Sequence, residues 1–171
     1  MNIRKKLYLR FGLLLFIVAV LCGFNLLAVH REHSARTATA QAFEMSQASE
    51  SIRYQMMQNR QLLSNYLLSG SSGEASSLTA GISKLQELIE KTSEKVTTDT
   101  QKSALAQLSD TERDWDSNFA RPLVEKRKQV DSGNATVSEL QIQYLQLDPA
   151  SWTNKSAAHV DELERLIDNE L

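Results

Sequence analysis

No charged residue interrupts Phe11 to Val29, FGLLLFIVAVLCGFNLLAV, and Asn25 is its one strongly polar side chain. At about 1.5 Å of rise per residue, a helix of this length spans roughly 30 Å, the thickness of a bilayer's hydrocarbon core. Arg4, Lys5, Lys6 and Arg10 precede the run with no acidic residue among them. The cytoplasmic bias of Lys and Arg then puts residues 1–10 in the cytoplasm, 11–30 across the membrane and 31–171 outside it. A cleaved signal peptide shares the basic start, but its apolar core is only about 7–15 residues long and ends in a small-x-small site. Ala28-Val29-His30 fails that pattern at its third position, and Leu21 stands where a lipoprotein site at Cys22 needs a small residue. The expectation is an uncleaved anchor in a bacterial inner membrane.

Residues 31–171 are enough for one domain with its own core. A net charge of -2 leaves no dominant basic face, which excludes nucleic acid as the expected partner. Cys22, inside the apolar run, is the lone cysteine, so the exported part has neither disulfides nor thiol chemistry. With 2 Pro and 6 Gly in the chain, the composition favours helices over a sheet-rich fold.

From Arg31 to Ser69 no Pro or Gly occurs, and the anchor is expected to continue as helix. Ala35, Ala38, Ala42, Met45, Ser49, Ile52, Met56, Asn59, Leu63 and Tyr66 form a heptad seam, small near the membrane and larger beyond it. Such a seam suits a partner helix, and the expectation is a homodimer through this first helix, with Asn59 fixing the register. The Gly/Ser cluster at 69–73 ends the helix. A second helix is expected from Glu74 to Val96 on the stripe Leu78, Ile82, Leu85, Ile89 and Val96. Thr97-Thr98-Asp99 supplies N-cap residues for a third, Thr100 to Ser132, with Pro122 forcing a kink or a restart. Thr136 and Glu139 fit a capping box for a short fourth element, and Asp148-Pro149 opens a last helix with Trp152, Val160, Leu163, Leu166 and Ile167 on its apolar side. Short turns make neighbours antiparallel. The expected fold is all-α, an up-and-down four-helix bundle on an N-terminal transmembrane helix.

No catalytic constellation stands out, and no cofactor is expected. His30, His33 and His159 form no His-Glu-x-x-His, and no cysteine accompanies them, so no metal site is read. Arg53 and Arg60 lie one heptad apart beside the seam, where two planar forks suit a small anionic ligand. The alternative is pairing with acidic residues of a neighbouring helix, such as Glu112, Asp114 or Glu162. Trp115 reads as core, with a ligand platform as the alternative. Arg121, Lys126, Arg127 and Lys128 make a basic run, read as a solvated face before a binding patch.

Asn59-Arg60-Gln61-Leu62-Leu63-Ser64-Asn65-Tyr66-Leu67-Leu68-Ser69-Gly70 resembles the arginine and leucine-leucine-x-glycine end of the first helix in the CHASE domain of type three, a sensory extracellular module. Trp115 through Arg121-Pro122-Leu123-Val124-Glu125-Lys126-Arg127 is similar to that family's tryptophan, proline and arginine pair in the third helix. The resemblance covers about Arg31 to Leu171. It implies a module set between two membrane helices, which passes an extracytoplasmic state to a histidine kinase, a cyclase or a chemoreceptor signalling domain. It implies no particular ligand. The last apolar stripe is unfinished at Leu171, which reads as the input end of a longer receptor. A single-pass scaffold recruiting an envelope protein is the other expectation, and an enzyme a distant third.

Overall fold

The computed structural model describes residues 40–168, whose regular structure is all helical. The cytoplasmic tip, the apolar run, His30, His33, Ala35, Ala38 and the last three residues lie outside the described residues. Among the described residues, no helix is long and apolar enough to cross a membrane. The chain divides into Met1–Gln41 and Ala42–Leu171, and the packing described below belongs to the second unit.

Helix α1 occupies 40–69 and α2 Ser72–Lys95. Gly70 separates them at φ 69°, the left-handed conformation in which glycine ends a helix without a Cβ penalty, and its N–H donates to the Tyr66 carbonyl at 2.8 Å. A Cβ there would also lie 2.6 Å from the Arg127 guanidinium. Helix α3, Asp99–Trp115, starts on Thr98, whose hydroxyl accepts from the Gln101 N–H.

The third helix does not break at Pro122. A π-helical turn, Asp116–Ala120, carries the chain from α3 into α4, Arg121–Asp131, and all the junction residues keep right-handed helical angles. Proline has no N–H to offer the carbonyl four residues back, and its ring crowds that carbonyl. The wider turn, in which the Arg121 N–H reaches back five residues to the Asp116 carbonyl, accommodates both.

Helix α5, Val137–Gln146, opens with the capping box: Thr136 Oγ1 accepts from the Glu139 N–H, and the Glu139 carboxylate accepts from the Thr136 N–H at 2.7 Å. That N–H first, and then the Thr136 hydroxyl, which donates to the same carboxylate at 3.1 Å, hold the Glu139 carboxyl below its ordinary range. A depressed folded-state value means the contribution is present above the ordinary carboxylate range and lost as pH falls through the folded one. Acidification is therefore expected to lower the protection factors of the first-turn amides of α5, each taken against the intrinsic exchange rate at that pH, before those of the core helices fall. Helix α6, Pro149–Asp168, follows a tight turn in which Asp148, at φ 49°, accepts from the Ser151 N–H.

Contacts along α1 fix the directions. Ser49 and Arg53 meet Glu164 and Asp161 of α6, whereas Arg60 meets Ser156, so the two helices run antiparallel. Glu44 reaches Lys95 while Asn59 lies against Gly81, so α1 and α2 are antiparallel too.

The apolar interior comes in two parts. One joins Met45, Ile52 and Met56 of α1 to Leu85 and Ile89 of α2, Leu105 and Leu108 of α3, and Val160, Leu163 and Ile167 of α6. The other joins Leu63, Leu78, Trp115, Phe119 and Leu123 to Leu140 of α5. Between them each helix replaces an apolar position with something else at the same level. Asn59 and Arg60 fall between Met56 and Leu63, and Gly81 between Leu78 and Leu85. Thr111 and Glu112 fall between Leu108 and Trp115, and Ser156 between Trp152 and Val160. A polar layer divides the core.

Candidate functional site

The layer is built around Arg60. Its Nη2 donates to Glu112 Oε1 at 2.8 Å and to Ser156 Oγ at 2.7 Å, and its Nη1 donates to Glu112 Oε2 at 3.2 Å and to the Met56 carbonyl at 3.1 Å. Ser156 Oγ in turn donates to Glu112 Oε1 at 2.6 Å. Three helices, α1, α3 and α6, are thus tied by one closed set of charge-assisted bonds. The Glu112 side chain is 4% exposed and the Arg60 side chain 18%, so the pair is held largely out of water. Trp115, itself buried, lies under the guanidinium with its ring centre 4.7 Å from the Arg60 Cζ. Its other neighbour is Phe119, at 6.3 Å between centroids.

On the other side of α1 the layer is poorer. Gln55 Nε2 donates to Asn59 Oδ1 at 3.0 Å, one turn along the same helix. Both residues are buried, and Gln55 Oε1 and Asn59 Nδ2 have no partner. Unpaired buried amide atoms are costly, so this half of the layer is weaker than an apolar one would be. The amides fit only because α2 presents Gly81: a Cβ there would stand 2.2 Å from Asn59 Oδ1. Alanine at position 81 gains helix propensity of roughly 1 kcal/mol over glycine. Against that, the displaced amide pair costs about 1–3 kcal/mol as an overpacked core. Gly81→Ala is expected to destabilise modestly in the native background and to stabilise once Asn59→Ala has removed the obstruction. Urea titration of the two single variants and the double variant measures that reversal of sign.

Arg53 sits two turns nearer residue 40. Its guanidinium donates to Asp161 at 2.7 Å and to both oxygens of Glu164, at 3.2 and 2.7 Å, and Glu164 also accepts from the Ser49 hydroxyl. The Asp161 and Glu164 bonds raise the affinity of Arg53 for its proton above the ordinary arginine value, and it stays cationic throughout. Both arginines read as candidates for an anionic ligand are therefore already held by carboxylates of the chain. Glu112 is one of the partners that the spacing offered. Asp114 is exposed, and Glu162 pairs instead with Arg165 on its own helix.

The seam is likewise filled from within. Ala42, Met45, Ser49, Ile52, Met56, Asn59 and Leu63 are all buried against the chain's own helices, so they do not form a face open to a second copy. Asn59 bonds to Gln55 within α1. Heptad spacing specifies a buried face and not whose helix buries it. Three residues of the basic run are paired with carboxylates, Arg121 with Asp116, Arg127 with Asp131 and Lys128 with Glu125.

Gln55, Gly81, Thr111 and Ser156 belong to the layer and were not singled out by spacing. Gly81 carried a signal, because a glycine inside a helix needs a packing reason. Surface grooves flank the bundle. One of about 370 Å³ lies between α2 and α3. A second, of about 530 Å³, runs between α2 and the π-helical turn, past Thr79, Ser83, Asp116 and Arg121. A third, about 420 Å³ and mostly apolar, lies between the end of α1 and α5, past Leu67, Leu68, Leu140 and Leu145. Among the described residues, no group of three or more His, Cys, Asp or Glu side chains is placed to hold a metal ion. No family model matches the chain, and no curated protein or solved structure matches it.

Proposed function

We propose that the chain is the extracytoplasmic sensory input domain of a membrane-bound bacterial receptor of the histidine kinase, chemoreceptor or cyclase type. In this reading it is an up-and-down four-helix bundle carried by the transmembrane helix Phe11–Val29, and a stimulus shifts α1 against α6. The observation that carries the reading is the polar layer. A relay needs two packings of similar energy. An interior divided by a charged triad on one side and an incompletely bonded amide pair on the other supplies an element whose rearrangement is not prohibitive. The apolar N-terminal run and the likeness of 59–70 and 115–127 to the CHASE domain of type three support the same reading. It assigns no catalytic role to any residue. A small anionic ligand would act here by displacing Glu112, or Asp161 and Glu164, from their arginines, which would loosen α1 from α3 or α6.

The test is the coding sequence past Leu171. A second apolar run within about 40 residues, the reach of a returning helix at 1.5 Å per residue, followed by a signalling domain, is the expected result. A stop codon there would refute a transmembrane relay. The alternative is then a single-pass scaffold recruiting an envelope protein, which the apolar groove between α1 and α5, with Leu68, Val137 and Leu145 exposed around it, favours.

A further inference from the structure

The groove of about 530 Å³ between α2 and the π-helical turn has the size of a small-molecule site. Much of its lining is apolar: Leu78 and Ala120 are buried, and Ile82 and Val124 half-buried. One charged group is set into it. Asp116 opens the π-helical turn, an element that often marks a functional site, and its side chain is only 10% exposed. Arg121 donates from Nε and Nη2 to Asp116 Oδ2, at 3.0 and 2.7 Å. Among the described residues no donor reaches Asp116 Oδ1, so one oxygen of the carboxylate stays open to a donor in the groove.

The opposite wall, on α2, offers further acceptors. Ser76, Thr79 and Ser83 each give their hydroxyl hydrogen to the carbonyl four residues back, at 3.0, 3.0 and 3.2 Å, which leaves the hydroxyl oxygens to accept. Charge along the groove is balanced, because the exposed Arg121 and Lys128 are matched by Asp116 and Glu125. Acceptors on two walls call for a group with several N–H donors. Balanced charge disfavours a net cation, which would meet Arg121 as well as Asp116. An ammonium with a carboxylate beside it, on an apolar body, meets each of these conditions.

We infer that this groove binds a free α-amino acid with an apolar side chain. The ammonium donates to Asp116 Oδ1 and to the α2 hydroxyls, and the side chain lies on Ile82 and Val124. The carboxylate accepts from Arg121, whose Nη1 has no partner among the described residues. Asp116 follows Trp115 and stands one turn after Glu112, so a ligand that holds it also holds the end of α3 bonded to α1 and α6. That consequence rests on the sensory reading above; the binding itself does not.

The test is calorimetric titration of the full chain, purified in detergent, with L-alanine, L-valine, L-leucine, L-methionine and L-phenylalanine in turn. At least one is expected to bind with a dissociation constant below about 1 mM. The amine and the acid made by removing one charged group from it (3-methylbutylamine and 4-methylpentanoate for leucine) should each bind about tenfold more weakly or worse, having lost a charge-assisted bond. Ser83→Trp, at an exposed position on the α2 wall, should fill the groove and abolish binding with circular dichroism and the unfolding midpoint unchanged. Arg121→Met should weaken the amino acid about tenfold and leave the amine no weaker, a split that loss of fold would not produce. A dissociation constant above about 1 mM for all five, binding that survives Ser83→Trp, or an amine as tight as its amino acid overturns the site. A second membrane span past Leu171 with a failed titration sinks the site alone, and a stop codon with a successful one sinks the relay alone.

Discussion

Arg60→Ala is expected to cost about 3–5 kcal/mol of stability, the loss seen when one partner of a buried ion pair is removed. The change leaves the Glu112 carboxylate, 4% exposed, with only the Ser156 hydroxyl for a partner. It also strips the cation from the face of Trp115. The reverse deletion, Glu112→Ala, should cost less, because the longer and more exposed Arg60 side chain can turn its charged end toward water. Replacing both, as in Arg60→Met with Glu112→Leu, is expected to bring stability back to within about 1 kcal/mol of the native chain or above it, since an apolar pair has no desolvation cost to recover. Denaturation followed by far-ultraviolet circular dichroism, with an unchanged m-value, distinguishes these cases. The doubly substituted chain also bears on the sensory reading. If the polar layer lets the bundle repack, making it apolar should give a stable protein locked in one state.

Trp115→Ala is the second large loss, about 3–5 kcal/mol. The indole is among the most enclosed side chains of the domain, packed on Phe119 on one side and under Arg60 on the other. Its removal opens a cavity where the second apolar half meets the polar layer, and the rigid helices around it can close that space only in part. Trp115→Phe keeps an aromatic face for the guanidinium and should lose clearly less. Had Trp115 been a ligand platform at the surface, truncation would have left the unfolding midpoint nearly unmoved. The same titration therefore separates the two roles that its sequence context allowed.

Much of the helical framework was legible along the chain. The seam Ala42 to Tyr66, the stripe Leu78 to Val96 and the apolar series of the third helix, Leu105, Leu108, Trp115, Phe119, Leu123 and Val130, face inward as their spacing requires, apart from Ile82 and Val130, which are half-buried. Thr98, Thr136 with Glu139, and Gly70 end or begin helices as their chemistry demands. The arginines were legible as a choice, anion site or ion pair. The pairing is seen only with α6 in place, because one residue of offset turns a side chain by 100°, which separates Asp161 and Glu164, facing Arg53, from Glu162, facing Arg165.

Sequence by itself determined which stretches are helices, where they stop and which side of each is apolar. Those outcomes depend on groups within three or four residues of each other. Tertiary structure decided what covers each side. It filled the seam of α1 from within the chain and left the apolar side chains of Phe43, Tyr54, Met57 and Leu68 exposed on the outer side of the same helix. It also brought Asn59, Gly81, Glu112 and Ser156 to one level. The alignment of four helices along their axes is set by turn lengths and by the packing of distant side chains, and no local pattern encodes it.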